Sequence, residues 1–519
     1  MNRSGLLWRI GAAALSGVLT ALATSLQPYW WAAWLAPIPL LTVAFRSSFG
    51  ATWLWVAIAT LLGLATRASY DVMFLGLAGE AFVALFSVAV VGLIVTLTRS
   101  MVLHRDNFLA IFFYAAAAAG LDAILGAASP QGTAGSLAYS QMNFLPVIQI
   151  AALAGTAGIV FTLALFAALV ATAGHCQIEP PRHWAAYGVP SLILIAVLGY
   201  GLVRLMHGTD VKTFPVGLAV SDGASPPLRA PIDPGDRSWT EYAAALPGLA
   251  NAGAKIVVWP EKIAPLGQPG IKRVRKLLGD AAHEAGVYLV AGVAVIGVDH
   301  LENRAWLFAP SGELIADYAK QHLVPGFEAR FTPGDEDVVR QIDGVRFGVA
   351  ICKDMDFAEL GRAYSQLGVH AMLVPAYDFY RDAWWHTSMA VLRGVEGGFS
   401  VIRPARHGLL TVSDRYGRVV DHRASTDATV VSLETAAPLG SGEATLYTRF
   451  GYRFGWLCVA FATLAGLSLA IRPRQRGRPL KPEPIRADLT YLDDGQVTAY
   501  PRSYGKWRSG TTGTENFSS

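Results

Sequence analysis

Long runs without charged residues occupy most of the chain up to about residue 205, and a last one occurs near residue 460. A helix that crosses a bilayer needs about 20 mainly apolar residues. The pattern therefore predicts about eight transmembrane helices, one on each run that approaches this length. These runs cover residues 10–26, 29–45, 49–66, 81–98, 108–121, 144–172, 187–203 and 454–471.

The region between the last two runs has a different pattern, in which short apolar segments alternate with amphipathic ones. Short apolar runs predict buried strands, and apolar residues at helical spacing predict helices. Turn signals at 310–313 and 343–344 predict two hairpins. The predicted strands are 214–220, 255–259, 287–295, 305–308, 314–318, 338–342, 345–351 and 371–374, and the predicted helices are 239–251, 271–286, 357–367 and 384–396. Together they predict one α/β domain with a core of its own.

These patterns divide the chain into four parts. We predict a transmembrane domain over residues 1–205, an α/β domain over 206–451 and a final transmembrane helix over 452–471. Residues 472–519 are rich in proline, glycine, arginine and serine, a composition typical of disordered segments.

Composition supports a membrane protein and excludes one class of partner. The chain has 519 residues, of which 53% are hydrophobic and 15% charged, and its mean hydropathy is +0.38. These values are too apolar for an ordinary soluble protein. The net charge of +4 is small and the basic residues are not clustered, so we expect no binding to nucleic acid.

Arginines in the short loops predict the orientation, because cytoplasmic loops carry an excess of lysine and arginine. If the N-terminus is inside, the cytoplasmic face carries Arg3, Arg9, Arg46, Arg99, Arg105, Arg182, Arg472, Arg474, Arg476 and Arg478. The opposite face carries Arg67, Arg204 and a loop, 126–143, without any charged residue. The α/β domain is therefore expected outside the cytoplasm, and the tail inside it.

Three residues that can support acyl chemistry each follow a predicted strand: Glu261, Lys320 and Cys352. A carboxylate could accept the thiol proton while the sulfur attacks a carbonyl carbon, and an ammonium group could stabilise the resulting oxyanion. A lone buried cysteine is most often a packing residue, and Trp-Pro-Glu could be an ordinary strand exit. The order of the three residues, each at a strand end, favours a shared site.

The other two cysteines, Cys176 and Cys458, form no metal-ligand spacing or CxxC pair with Cys352. The sequence therefore predicts no disulfide, no metal site and no organic cofactor. An unpaired cysteine in a domain outside the cytoplasm is better explained by function than by packing.

Three motifs of the α/β domain resemble the carbon–nitrogen hydrolase (nitrilase) superfamily. They are V-V-W-P-E at 257–261, Y-A-K-Q-H-L-V-P-G-F-E at 318–328 and G-V-A-I-C at 348–352. The chain as a whole resembles the apolipoprotein N-acyltransferase family, with P-Y-W-W-A-A-W-L-A-P-I-P-L-L at 28–41, L-A-Y-S-Q at 137–141 and T-L-Y-T-R-F-G at 445–451. The resemblance covers about residues 6–471 and implies an αββα sandwich for the α/β domain.

By this resemblance, Cys352 would accept an acyl chain from a phospholipid as a thioester, with Glu261 and Lys320 completing a triad. The N-terminal amine of a diacylglyceryl-cysteine apolipoprotein would then receive the chain. Glu328 would support Lys320 and close the site. The resemblance also implies a monomer in the bacterial inner membrane, with its catalytic domain on the periplasmic side.

The sequence departs from the family pattern beside the cysteine, where Lys353 and Asp354 replace tyrosine and glutamate. Asp354 keeps a carboxylate, and the cation of Lys353 is expected to lower the pKa of the neighbouring thiol. The departures leave open a second function, a membrane-tethered amidohydrolase of nitrilase type for a small amide or nitrile. A transporter or scaffold with an inactive domain is disfavoured because all three catalytic residues are present.

Four further residues are candidates for the path by which substrates reach the site. Tyr139 and Gln141, in the uncharged outer loop, could line this path or simply pack the loop. Trp384 and Trp385 could line an acyl pocket or lie at the lipid interface.

Overall fold

The computed structural model describes residues 3–104, 106–175, 184–206, 212–223, 237–297, 301–427 and 430–471. The tail predicted to be disordered lies outside these residues, as do Cys176, Arg105 and Arg182. The chain from Met1 to Ala470 forms one compact unit, so the membrane helices and the α/β domain are packed together.

The membrane part begins with helices that cover the predicted apolar runs. They are α1 (Arg3–Thr24), α2 (Trp30–Leu35), α3 (Pro37–Phe45), α4 (Phe49–Leu64), α5 (Ala68–Leu103), α6 (Asn107–Ala128), α7 (Leu145–Ile148), α8 (Ala151–Ala173) and α9 (Val189–Met206). Among the described residues, five helices are long and apolar enough to cross a bilayer: α1, α5, α6, α8 and Ala186–Met206. The shorter apolar segments Trp30–Phe45, Phe49–Leu64 and Arg453–Leu469 coincide with the other predicted spans, and the count of eight remains a prediction.

Proline and glycine shape three of these helices. The run predicted at 29–45 is divided because Pro37 begins α3 and has no N–H to continue the hydrogen bonding of α2. Helix α5 is much longer than the predicted 81–98, with 36 residues, and is kinked at Gly76, where φ is 68°. Helix α8 is kinked at Gly155, and a Cβ there would lie 2.5 Å from the ring of Tyr447.

The α/β domain contains every predicted strand and helix. Its strands are β1 (Thr213–Val220), β2 (Ile256–Val258), β3 (Pro265–Gly267), β4 (Tyr288–Ile296), β5 (Leu301–Phe308), β6 (Leu314–Ala319), β7 (Val338–Ile342), β8 (Val345–Val349), β9 (Ala371–Leu373), β10 (Ala376–Tyr377), β11 (Ser400–Arg403), β12 (Ala405–Arg406), β13 (Leu409–Ser413), β14 (Val419–Ala424) and β15 (Val431–Pro438). The remaining helices are α10 (Arg237–Ala243), α11 (Leu246–Asn251), α12 (Gln268–Ala285), α13 (Ala358–Gln366), α14 (Ala383–Gly397), α15 (Leu446–Phe450) and α16 (Arg453–Ile471). The helix predicted at 239–251 is divided, because Pro247 lies in the first turn of α11.

Two sheets form the middle of this domain. The first has seven strands in the order β15-β1-β2-β4-β5-β6, with β3 beside β4, and the second has six in the order β14-β13-β11-β9-β8-β7. Apolar side chains from both sheets share one core, including Leu218, Val258, Phe347 and Leu373. Helices α10 to α12 cover the outer face of the first sheet, and α13 and α14 cover that of the second. The αββα sandwich predicted from the sequence is confirmed.

Helix α14 belongs to two cores at once. Its residues Met389, Leu392 and Val395 are buried among the membrane helices. Ala390, on the opposite face, packs with the second sheet. The membrane part and the α/β domain therefore share a helix as well as a covalent connection.

Candidate active site

Glu261, Lys320 and Cys352 lie just beyond the ends of β2, β6 and β8. Strands β2 and β6 belong to the first sheet and β8 to the second, so the residues come from both layers of the sandwich. The N–H of Cys352 donates to the carbonyl of Pro375 over 3.0 Å, and that of Glu261 donates to the carbonyl of Ala376 over 3.3 Å. The loop that carries Glu261 and the turn that carries Cys352 are thus both hydrogen-bonded to the segment Pro375–Ala376.

The two oxygens of the Glu261 carboxylate have different surroundings. Oε1 accepts a hydrogen bond from Asn303 over 2.5 Å and contacts the ammonium groups of Lys320 at 2.9 Å and Lys262 at 3.1 Å. Oε2 is buried and has no hydrogen-bond partner among the described residues. Burial raises the pKa of Glu261, but Lys262 and Lys320 outweigh it and the pKa is lowered. The carboxylate is therefore ionised, with one oxygen free to accept a proton.

Lys320 is a buried ammonium group held between two carboxylates. Its Nζ lies 2.9 Å from Glu261 and 2.9 Å from Glu328. Burial lowers the pKa of Lys320, but the two carboxylates outweigh it and raise the pKa well above its ordinary value. Burial raises the pKa of Glu328, but Lys320 and Lys262 outweigh it and the pKa is lowered. Lys320 thus remains positively charged, as a group that stabilises an oxyanion must.

Cys352 begins the turn after β8 in a left-handed backbone conformation, with φ at 45°. Cys352 is only 8% exposed, and its Sγ lies 3.6 Å from the carbonyl oxygen of Tyr377. Burial and then Glu261 raise the pKa of Cys352, while Lys320 and Arg403 lower it less strongly. The resting sulfur is therefore a thiol, and its attack requires a base that accepts the proton.

Lys353 does not act as predicted. Its ammonium group is directed toward the membrane part, where it contacts Gln131 at 2.6 Å and Asp356 at 3.4 Å. The pKa of Cys352 is raised, chiefly by burial, and the cations that oppose this rise are Lys320 and Arg403 rather than Lys353, so the predicted lowering is wrong. The ammonium group of Lys353 is instead paired with Gln131 and Asp356.

Asp354 connects the lysine loop to the cysteine turn. Its fully buried carboxylate accepts the N–H of Ile351 over 2.9 Å and the hydroxyl of Tyr318 over 2.8 Å. It also accepts the N–H groups of Gln321, over 3.2 Å, and His322, over 2.7 Å. The acid that stands in place of the family's glutamate therefore fixes the position of Lys320 relative to Cys352.

Two residues of the site gave no clear signal in the sequence. Lys262 bonds Glu328 over 2.5 Å and contacts Glu261, but neighbours in an extended segment normally point in opposite directions. A left-handed conformation, with φ at 48°, turns Lys262 back toward the site. Asn303 of β5 donates to both Glu261 and Glu328, and it lies before the strand predicted at 305–308.

The four candidates for the substrate path lie at the boundary with the membrane helices. The ring of Trp385 contacts Tyr139 edge to face at 5.7 Å, and the partly buried Trp384 packs against the membrane core. Tyr139 is fully buried and bonds Arg393 over 2.9 Å, and the equally buried Gln141 bonds Trp34 over 2.8 Å. Because their polar atoms are engaged by protein groups, Tyr139 and Gln141 anchor the loop, and a role in lining the substrate path stays a prediction.

An aromatic cluster borders the site on the membrane side. Phe74 of α5 lies 5.3 Å from Phe327, in the loop after Lys320, and 5.4 Å from Phe379, which follows β10. Phe327 and Phe379 are 5.3 Å apart, and Phe327 is 50% exposed. Phe379 is also 5.9 Å from the ring of Tyr377, whose carbonyl contacts the thiol. These rings form a continuous apolar contact from Phe74 of α5 to Tyr377 beside Cys352.

Comparisons with known proteins agree with both parts of this architecture. The model of the carbon–nitrogen hydrolase family matches residues 231–433, and that of the apolipoprotein N-acyltransferase N-terminal domain matches residues 16–169. An apolipoprotein N-acyltransferase of Geobacter metallireducens is 28% identical over 383 residues, covering 65% of this chain and 70% of that protein. One from Treponema denticola is 24% identical over 394 residues, covering 62% and 70%.

Amidases match a shorter part of the chain. The human omega-amidase NIT2 is 35% identical over 147 residues, which are 24% of this chain and 52% of that protein. A solved nitrilase-superfamily amidase from Nesterenkonia is 20% identical with a TM-score of 0.40, covering 47% of this chain and 95% of its own.

The fold and the site therefore define an enzyme of the nitrilase superfamily that is built onto membrane helices. Among such proteins, this chain is similar to the apolipoprotein N-acyltransferases, whose N-terminal domain model matches it and whose members resemble it over most of its length.

Proposed function

We propose that the protein transfers a fatty acyl chain from a phospholipid to the N-terminal amine of a diacylglyceryl-cysteine apolipoprotein, through a thioester on Cys352. The observation that carries this proposal is the placement of Glu261, Lys320 and Cys352 behind an aromatic cluster that begins on a membrane helix. A soluble amidase needs no apolar connection between its site and a membrane helix, whereas an enzyme that takes its acyl chain from a lipid does.

In the first half of the reaction, Sγ of Cys352 attacks the ester carbonyl carbon of the phospholipid. Oε2 of Glu261 accepts the thiol proton as the carbon–sulfur bond forms. Lys320 stabilises the oxyanion of the tetrahedral intermediate. Collapse of this intermediate breaks the ester carbon–oxygen bond, and the departing alkoxide takes the proton from Glu261 to leave as a lysophospholipid.

In the second half, the lipoprotein amine attacks the thioester carbon. Glu261 accepts a proton from the amine, and Lys320 again stabilises the oxyanion. When the carbon–sulfur bond breaks, the thiolate recovers this proton from Glu261 and the amide product leaves. The buried site favours the amine over water, which would otherwise hydrolyse the thioester.

The position of the arginines supports a periplasmic catalytic domain. Arg9 bonds the carbonyl of Arg46 over 2.9 Å, and Arg99 bonds that of Ser47 over 2.9 Å, so these cations gather at one end of the helices. Helix α5 has Arg99 near its last turn, whereas Tyr70 near its first turn bonds Asp382 of the α/β domain over 2.6 Å. The α/β domain thus lies opposite the arginine-rich end, and the positive-inside rule assigns that end to the cytoplasm.

Incubation of the purified protein with a phospholipid labelled in its acyl chain tests the proposal. We expect a label on Cys352 that hydroxylamine removes, no label in the Cys352→Ala variant, and transfer of the label to a diacylated lipopeptide. Turnover of a small amide without a lipid-derived label would support the alternative amidohydrolase instead. Cytoplasmic accessibility of single cysteines placed in the loop 126–143 would contradict the orientation.

A further inference from the structure

A cavity of about 350 Å³ lies where the end of α9 meets the turn between β13 and β14. Helix α9 contributes Tyr200 and Arg204, and the turn contributes Arg415 and Tyr416. The segment that leads into α15 closes another side with hydroxyl groups and the carboxylate of Glu443. The cavity is thus lined by groups from the membrane part and from the α/β domain.

Guanidinium groups dominate the charge of this cavity. Arg204 and Arg415 approach the ring of Tyr416 at 5.3 Å and 4.9 Å from its centroid. Arg204 is held by the side-chain oxygen of Gln149 over 3.0 Å. Arg415 donates to the Tyr416 hydroxyl over 2.7 Å, while its buried Nε has no hydrogen-bond partner in the part of the chain that the structure describes. An unused donor beside a second fixed guanidinium group suits an anion with several oxygens.

Exposed apolar side chains adjoin the cavity. On α9, Val203, which lines the cavity, is 54% exposed and Met206, at the end of the helix, is 75% exposed. Phe450 of α15 is 52% exposed. Arg204 lies in the last turn of α9, at the depth where lipid head groups meet the hydrocarbon region. A cationic cavity and an exposed apolar surface therefore lie next to each other.

This place is distinct from the proposed catalytic site. Helix α14 begins after Asp382, whose carboxylate accepts the N–H of Phe379 in the aromatic cluster. Gly398, at the other end of this helix, lines the cavity. The helix has 15 residues, which at a rise of about 1.5 Å each separates its ends by about 22 Å. The cavity is therefore separate from the candidate site, and its lining includes none of Glu261, Lys320 and Cys352.

We propose that this cavity binds the phosphodiester head group of a membrane phospholipid, whose acyl chains lie along α9 and α15. Arg204 and Arg415 contact the phosphodiester oxygens, and the hydroxyl groups of the lining contact the rest of the head group. Glu443 disfavours groups with more than one negative charge, so a phosphodiester is preferred over a phosphate monoester. The bound lipid connects α9 to the α/β domain and is not the acyl donor.

Lipid binding to the full chain tests this site, with Cys352→Ala as the background so that no lipid is consumed. Phosphatidylethanolamine is titrated into the protein in detergent micelles, and the bound lipid is counted by native mass spectrometry. We expect Arg415→Gln to raise the apparent Kd about tenfold and Arg415→Lys to raise it less. Arg423→Gln is the matched control, since Arg423 is exposed on β14 and bonds only the carbonyl of Ser432 among the contacts described.

Equal affinities for the Arg415→Gln and Arg423→Gln proteins would overturn the proposal. Inorganic phosphate is the second probe, and displacement of the lipid by millimolar phosphate would show a free-anion site and overturn it as well. Retention of lipid by the Cys352→Ala background, with loss in Arg415→Gln, supports it whether or not acyl transfer is ever detected. The Arg415→Lys protein keeps the test decisive if the glutamine variant does not fold.

Discussion

At the scale of single residues, the site depends on how one carboxylate uses its two oxygens. Oε1 of Glu261 binds two ammonium groups and an amide, which fixes the side chain and keeps it ionised. Oε2 has no such contact within the described residues and is the atom that can accept a proton. In the proposed mechanism, structural and catalytic roles are thus separated within one functional group.

Replacement of Glu261 by glutamine removes the proton acceptor while keeping the size of the side chain. We expect the acylation rate of Cys352 to fall about 100- to 10,000-fold, the range that general bases contribute. Single-turnover transfer of labelled acyl chains measures this rate. Glu313→Gln, an exposed carboxylate in a turn, is the control and should leave the rate unchanged. A Glu261→Gln enzyme with full activity would contradict the assignment of the base.

The pKa shifts of the triad predict a broad pH optimum. Glu261 titrates below its ordinary value of 4.5, and Lys320 and Cys352 titrate above theirs, 10.5 and 9.0. None of the three changes charge between these limits, so the acylation rate should vary less than about threefold from pH 5.5 to 8.5. A pH–rate profile with a limb near 6.5 would instead point to a histidine.

The same shifts predict a loss of stability in acid. Because Glu261 and Glu328 have lowered pKa values in the folded protein, their contribution is complete above the ordinary value of about 4.5 and disappears as the pH falls. Thermal unfolding in detergent should therefore show a decreasing midpoint below pH 4.5. The Glu328→Gln protein should show a smaller decrease than the parent, and an equal decrease would exclude this carboxylate as the cause.

At the scale of elements, strand ends deliver the reactive groups and Asp354 sets their relative position. Four donors from β6, its following loop and the end of β8 converge on this single carboxylate. The two sheets are therefore connected next to the site by charge-assisted hydrogen bonds as well as by apolar packing. The carboxylate of Asp354, which stands where the resemblance places a glutamate, makes this connection here.

Asp354→Asn should weaken this connection without removing any triad residue. Charge-assisted hydrogen bonds contribute about 1.5–3 kcal/mol each, so we expect kcat to fall about 10- to 100-fold. KM for the lipid should change little, because Asp354 is fully buried and does not reach the aromatic cluster. Steady-state kinetics separate the two effects, and Asp335→Asn, an exposed carboxylate, is the control. A change confined to KM would argue against a positioning role.

Much of this arrangement of strands and reactive groups could be predicted from the sequence. The strands before Glu261, Lys320 and Cys352 are short and mainly apolar, and a strand end fixes the start of the following turn. Lys262 could not be assigned to the site, because its side chain approaches Glu261 and Glu328 through a left-handed backbone conformation that its residue type does not predict. The direction of the Lys353 side chain could not be predicted either, because its partner Gln131 is 222 residues away in the sequence.

At the scale of the whole molecule, a loop of the membrane part supports the cysteine turn. Thr133 bonds the carbonyl of Asp356 through its N–H over 3.0 Å and through its hydroxyl over 2.7 Å. Arg393 of α14 bonds the carbonyl of Met355 over 3.2 Å and the same hydroxyl over 3.1 Å. The cysteine turn is thus positioned partly by residues of the membrane domain, which sequence periodicity cannot reveal.

Two glycines of this loop offer a matched test. Gly132 has φ at 56°, and a Cβ there would lie 2.6 Å from the carbonyl oxygen of Asp356, whereas Gly135 has open space. Gly132→Ala should displace the loop from the cysteine turn and slow acylation about 10- to 100-fold, since small misplacements of reacting groups are costly. Gly135→Ala should leave the rate unchanged. Equal rates for both variants in single-turnover labelling would separate the loop from catalysis.

The double burial of α14 has a consequence for how the chain matures. Residues translated long after the first membrane helices complete the apolar interior of those helices, while the opposite face of α14 closes the sandwich. Neither half can finish folding before the other is present. Denaturation should accordingly proceed in a single cooperative step, and an excised α/β fragment should aggregate through the uncovered side of α14.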